Sequence, residues 1–168
     1  MGCHLGFEKS LISELKSIEH VKEVHGTLGI YDIVAKLEAD SDEKIKETVT
    51  KKIRQIEKIG STMTLMKVEG EDLFKANREK LMGSLLGKNE AQAYVVIHCE
   101  QGKEEYVLRN LNEIPEVKEA DIVYGNYDVV SKIESENYKE LEKIITKKIR
   151  KLQFIRTTMT LNVIKEQE

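Results

Sequence analysis

The residues best placed to do chemistry with a charged small molecule are two Tyr-Asp pairs. Tyr31-Asp32 sits in GIYDIVAKLE (Gly29 to Glu38), and Tyr127-Asp128 in GNYDVVSKIE (Gly125 to Glu134). An exposed aspartate can accept a ligand ammonium, while turn amides and threonine hydroxyls can hold a carboxylate. Threonines stand downstream of both pairs at matching positions: Thr62 and Thr64, then Thr158 and Thr160. A plainer chemistry is open to the same residues. Aspartates beside turns bond local backbone amides, tyrosines pack, and a Thr-x-Thr stripe is often the polar side of a strand. On residue chemistry alone both readings stand.

Other reactive arrangements are weaker. Cys3-His4 and His98-Cys99 offer two cysteines and two histidines. Neighbouring side chains of a strand point to opposite faces, so an adjacent Cys and His rarely share one ion, and no metal site is expected. No nucleophile-base pair, glycine-rich phosphate loop or metal spacing stands out. No catalytic residues, no cofactor and no enzymatic activity are therefore expected. The alternatives are a small ferredoxin-like enzyme of oxygenase or isomerase type, and an oligomerisation scaffold without ligand. His20 and His25 lack evident partners and read as exposed. The basic clusters Lys51-Lys52-Ile53-Arg54 and Lys147-Lys148-Ile149-Arg150 fall at predicted helix ends, where cations complement the helix dipole. Acidic residues surround them and the net charge is -3, against a counterion-displacing nucleic-acid face.

The elements that must position these residues come from an internal repeat. A shift of 96 positions, the distance from Tyr31 to Tyr127, superposes the halves without a gap. Cys3 and Gly6 fall on Cys99 and Gly102, Thr50 to Arg54 on Thr146 to Arg150, and Thr62 to Leu65 on Thr158 to Leu161. Each copy reads as strand, helix, strand, strand, helix, strand. In the second, Ala93 to Cys99 is a β-branched and aromatic run, and Val107, Leu108, Leu111 and Ile114 follow at helical spacing until Pro115 stops them. Val117 to Tyr124 is a strand. Gly125-Asn126 reads as a two-residue hairpin turn, glycine first, with the third strand starting at Tyr127. Leu141, Ile144, Ile145, Ile149 and Leu152 make a helical stripe, and Thr158 to Ile164 closes the unit. In the first copy, Asp40 with Glu43 suggests a capping box. Met1 falls on Ile97, so the first strand there is shortened or missing.

This organisation predicts an α+β fold of two tandem βαββαβ units over 1–69 and 91–168, joined by a helical connector over 70–90. Apolar residues on both faces of each sheet predict that the two antiparallel sheets face each other as a pseudo-dimer. With 40% hydrophobic and 34% charged residues, no run long enough to span a bilayer, and too few cysteines for a disulfide framework, a cytoplasmic protein without membrane association is expected.

The segments GKEEYVLRNLNEIPEVKEA, YGNYDVVSKIE and ITKKIRKLQFIRTTMTL resemble the ligand-binding domain of Lrp/AsnC regulators, the regulation-of-amino-acid-metabolism domain. The resemblance covers Ala93 to Lys165 fully and Gly2 to Glu69 with a shortened start. It implies a ferredoxin-like fold, dimerisation through sheets, assembly into larger oligomers, and a small effector, typically an amino acid, bound near the Gly-x-Tyr-Asp turn. It points to Gly29, Tyr31, Asp32, Thr62 and Thr64, and to Gly125, Tyr127, Asp128, Thr158 and Thr160. The second copy is the better candidate, because Leu28 and Ile30 replace Tyr124 and Asn126 in the first. Family members usually carry a helix-turn-helix ahead of this domain, and the chain opens inside the first unit. The expectation is a regulator that joins homo-oligomers or full-length relatives, with no direct nucleic-acid contact.

Overall fold

The computed structural model of the chain describes residues 1–70 and 89–165. The helical connector expected over 70–90 lies, for its residues 71–88, outside the described residues. Two compact units are present: Met1–Thr64 with Leu161–Glu168, and Leu65–Thr160.

The first unit contains β1 (Gly2–Cys3), α1 (Glu8–Lys16), β2 (Val21–Leu28), β3 (Ile33–Leu37), α2 (Asp42–Glu47) and β4 (Ile59–Ser61). Helix α1 buries Leu11, Ile12 and Leu15, the one-face spacing of a 3.6-residue period, with Glu8 in its first turn and Lys16 in its last. Ser41 caps α2, its Oγ accepting from the Lys44 N–H at 3.3 Å. The expected capping box of Asp40 and Glu43 does not form: the cap is Ser41, whose third residue on is Lys44 and not an acid, and Asp40 instead pairs with the Lys44 ammonium at 2.7 Å. Helix α2 continues as a π turn over Thr48–Lys52 and a 3₁₀ turn over Ile53–Gln55. β2 and β3 pair antiparallel, β1 pairs with β4, and the Asp32 and Ile33 N–H groups both donate to the Met1 carbonyl. The opening strand is therefore shortened, not missing.

The second unit contains β5 (Met66–Lys67), β6 (Ala91–Cys99), α3 (Glu104–Asn112), β7 (Val117–Tyr124), β8 (Val129–Ser135), α4 (Tyr138–Ile144) and β9 (Ile155–Val163), whose last residues belong to the first unit. Its strands run in the order β9-β6-β8-β7 with β5 added beside β7. That is the ferredoxin-like order, with the first and third strands central. Inward residues of β6 and β8, Val95, Ile97, Val129 and Ile133, meet Val107 and Leu111 of α3 and Leu141 of α4 in one core, two layers sharing one apolar interior. Asn137 caps α4 by accepting from the Glu140 N–H at 2.9 Å, and α4 also ends in a π turn, Ile145–Ile149. The fold is α+β, built from two ferredoxin-like repeats.

The repeat extends to irregularities. Both second strands carry a bulge at the same place, between Val21 and Glu23 and between Val117 and Glu119. Each is also lengthened by an outer strand at equivalent positions. Thr27 and Leu28 pair with Val163 and Asn162, and Val123 and Tyr124 pair with Lys67 and Met66.

The hairpin between β7 and β8 differs from expectation. Gly125 has φ +138°, the region that excludes most side chains, as the glycine-first reading required. The loop is four residues, Gly125 to Asp128, and β8 starts at Val129. The reason is that the Val123 N–H binds the Asp128 carbonyl at 2.9 Å, which takes Tyr127 and Asp128 into the loop; Thr27 and Asp32 do the same in the first unit at 2.8 Å.

Candidate ligand-binding site

The Tyr-Asp loops are fixed from below by the aspartates. Asp128 Oδ2 accepts the Cys99 N–H at 2.9 Å, and Asp32 Oδ2 accepts the Cys3 N–H at 2.8 Å. Each loop is thereby tied to the end of its unit's first strand, across 29 residues of sequence. A carboxylate accepting an amide is a charge-assisted bond, roughly twice as strong as a neutral one. It explains why an aspartate stands after each tyrosine. The side chain of Asp128 stays 27% exposed, so this anchor still meets solvent. One carboxylate oxygen is committed to the fold and the other remains available.

Around Asp128 the two units diverge. His98 Nδ1 lies 2.8 Å from Asp128 Oδ2, close but not aligned for the ring N–H to donate. The equivalent position in the first unit is Gly2, where an added Cβ would come within 2.7 Å of Ser61 Oγ. A histidine there would first have to turn the Ser61 side chain aside.

The threonines divide into two kinds. Thr158 Oγ1 accepts from Arg150 Nε at 3.0 Å, and Thr62 Oγ1 from Arg54 Nε at 2.9 Å. Both arginines follow the π turns, the type of irregularity that is common at functional sites. The Arg150 N–H reaches back to the Ile145 carbonyl at 2.9 Å, which marks the wider turn. Thr160 Oγ1 is buried with no hydrogen-bond partner among the described residues, an unfavourable state for a hydroxyl. Thr64, its counterpart, is half-buried. Among the described residues the Tyr127 hydroxyl meets only the Met159 sulfur, at 3.9 Å, a weak acceptor. Tyr127 is thereby brought against β9, and no hydrogen bond among the described residues joins Thr158 or Thr160 to Asp128. In the first unit, Leu28 and Ile30 beside Gly29 and Tyr31 are 69% and 75% exposed.

Three groups escaped the sequence reading. Arg54 and Arg150 were assigned to helix-end charge. The usable signal was that each arginine repeats together with a threonine eight residues later. His98 was weighed only as a metal ligand, whereas its neighbour is Asp128. His20 and His25 are half-buried, not exposed, with Glu19 at 4.0 Å and Glu23 at 3.6 Å. In the basic clusters Lys51 faces Glu47 at 2.6 Å and Lys148 faces Glu116 at 3.1 Å. Both thiols are pushed up to about 11, first by burial and then by the aspartate beside each, so neither is a thiolate at neutral pH.

Both halves of the repeat are matched in the comparison with known families. The Lrp/AsnC ligand binding domain family matches over residues 9–69 and 92–167. The chain belongs to this family. An uncharacterized HTH-type transcriptional regulator of Pyrococcus abyssi is 34% identical over 71 residues, which cover 42% of this chain and 45% of that protein. The chain thus spans less than half the length of this curated relative. A hypothetical protein from Pyrococcus horikoshii is 42% identical over 44% of this chain and 89% of its own, with a TM-score of 0.43. Escherichia coli AsnC is 21% identical over 74% of this chain and 73% of its own, with a TM-score of 0.45. Lrp/AsnC transcription regulators are therefore its relatives. No helix among the described residues is long and apolar enough to cross a membrane.

Proposed function

We propose that this Lrp/AsnC-type chain is a cytoplasmic, non-enzymatic effector-binding protein, and that its ligand is an amino acid or a close analogue. The second unit supplies the principal site at Gly125, Tyr127, Asp128, Thr158 and Thr160. Gly29, Tyr31, Asp32, Thr62 and Thr64 form its counterpart. The observation that carries the reading is the anchored aspartate. Held on one oxygen by a buried amide and partly open to solvent, Asp128 is a preorganised acceptor for an ammonium, and ordering it costs a ligand little. Among the described residues Tyr127 meets only a thioether and the Thr160 hydroxyl has no hydrogen-bond partner, so both add polar groups that a ligand could satisfy. Output is through assembly, in homo-oligomers facing sheet to sheet or with full-length relatives, without direct nucleic-acid contact. A ligand that favours one assembly must bind it more tightly than the other.

The test is calorimetric titration with the common amino acids, read beside sedimentation. Binding by one of them, with a shift in assembly, is the expected result. Thr160→Val, which removes only the unpartnered hydroxyl, should weaken binding without loss of stability. Absence of binding across the panel, with assembly unchanged, would reject the proposal.

A further inference from the structure

The carboxylate at the centre of the proposed site has a second claimant within the same unit. His98 lies near the end of β6, between two residues that are tied to the loop. The Asp128 N–H donates to the Ile97 carbonyl at 2.9 Å, and Asp128 Oδ2 accepts the Cys99 N–H at 2.9 Å. With the backbone held on either side, the His98 ring is set against the carboxylate, Nδ1 at 2.8 Å from Oδ2.

Two lone pairs repel at that distance, so Nδ1 carries a proton. Its N–H is buried and not aligned on an acceptor, which leaves a donor half spent beside a negative charge. The side chain as a whole is 44% exposed, so its accessible surface lies away from Nδ1, on the side where Nε2 takes a second proton. Once it does, the ring is a cation at ion-pair distance from Asp128. Charge is therefore decided at the solvent edge of the ring and felt at the carboxylate. Among the described residues Asp128 is the one ionic partner of His98. The other charged groups at this end are Glu104 of α3 and Arg156 of β9. Both act on the Cys99 thiol, which faces the core, across the strand from the His98 ring. His98 is also the only histidine of the second unit, and histidine is the side chain that changes charge between about pH 5 and 8.

We propose that His98 makes the second unit's site proton-gated, its imidazolium competing with the ligand's ammonium for the charge of Asp128. The neutral ring leaves that charge to an ammonium arriving at Oδ1. The imidazolium beside Oδ2 cancels it and repels the ammonium. Effector binding and protonation of His98 then oppose each other reciprocally: acid unloads the protein, and the ligand holds the ring neutral. His98 acts through Asp128 and not by touching the ligand. The gate rests on the effector reading for its ligand, whereas the pairing of imidazolium with carboxylate belongs to the unliganded chain.

The test has two arms, both on the whole chain. In the first, the common amino acids other than histidine are titrated calorimetrically at pH 7.5 and at pH 5.5, a window in which histidine changes charge and the ammonium and α-carboxylate of these probes do not. Whichever amino acid binds should show a Kd roughly five- to tenfold weaker at pH 5.5, the change expected when one histidine charges in that window. His98→Gln, which stays polar and cannot become a cation, should show one Kd at both pH values. Equal wild-type affinity at the two, or an acid loss that survives in His98→Gln, would overturn the gate. In the second arm, NMR of the ligand-free protein follows the Cys99 amide proton, whose acceptor is Asp128, over the same pH range. It should move in step with the His98 ring resonances, and far less in Asp128→Asn. An amide that ignores the ring would overturn the pairing, whether or not any amino acid binds. Absence of binding at either pH, with the amide coupled to the ring, would reject the effector reading while supporting the pairing of His98 with Asp128.

Discussion

Replacing Asp128 in two ways separates the part of it that holds the fold from the part that would meet a ligand. The Cys99 N–H it accepts belongs to a residue 2% exposed, and the contact is 2.9 Å. Asp128→Ala leaves that amide without an acceptor, at a cost of about 1–3 kcal/mol. For a chain of this size each kcal/mol lowers the melting midpoint by about 2–4 °C, so the drop is measurable by circular dichroism. Asp128→Asn keeps a side-chain oxygen for the amide and loses the charge. It should cost less than about 1 kcal/mol, the difference between a charged and a neutral acceptor. Against an ammonium ligand the order reverses in importance. Loss of the charge removes about 1.5–3 kcal/mol, which is roughly a ten- to hundredfold weaker Kd by calorimetry. The expected pattern is therefore a stable Asn variant that binds poorly and an Ala variant that is both unstable and weak. An Asn variant as unstable as Ala would refute the anchoring argument, and one that binds like wild type would remove Asp128 from ligand recognition.

Further consequences follow from other contacts. The thiols of Cys3 and Cys99 are raised from 9.0 to about 11 in the fold. A raised acid favours its protonated form when folded, so this stability is present below pH 9 and is lost as pH rises towards 11. Urea titrations across that window should show the loss, and Cys99→Ala should lessen it. At pH 8 both thiols should react slowly with an aromatic disulfide reagent, and faster in urea. Asn137→Ala and Ser41→Ala remove helix N-caps, and each should cost about 1 kcal/mol in chemical denaturation. Ile133→Ala, at a fully buried site, should cost about 2–5 kcal/mol, while Leu37→Ala at its half-buried counterpart should cost clearly less.

Periodicity was enough to place most of the elements. Val117–Tyr124 was read with its observed ends, because a valine after Pro115-Glu116 and a glycine after Tyr124 punctuate it. Ala91–Cys99 and Ile155–Val163 were recognised but read short, since ladder partners and not composition decide where a strand frays. The hairpin was misread as two residues because glycine chemistry reports φ at one position, whereas loop length depends on which carbonyl the Val123 amide finds. The candidate site rests on the repeated Tyr-Asp and Thr-x-Thr, which a sequence displays, and on supports that it does not. Nothing local in sequence says that Asp128 ties to the amide of Cys99, or that Arg150 holds Thr158 after a π turn. Those contacts depend on the register between strands and on the phase of a helix end.

A repeat of this kind also separates constraint from specialisation. Whatever both copies preserve without being near each other in sequence is a property of the unit. The aspartate-to-amide tie, the bulge near the start of the second strand and the arginine on threonine recur at the same offset, and the π turn recurs one residue out of step, so they are properties of the repeated unit. Whatever differs bears on what each unit does with that loop. His98 stands against Asp128 where the other unit has Gly2, and Tyr124 and Asn126 stand where Leu28 and Ile30 are exposed. The polar loop, set on the more fully buried core, is the one proposed to recognise a charged ligand. The apolar loop matches the chemistry of a macromolecular contact better than that of an amino acid. Two units that share a scaffold and differ at the loop need not share a ligand, and a stoichiometry of one effector per chain is the outcome this asymmetry favours.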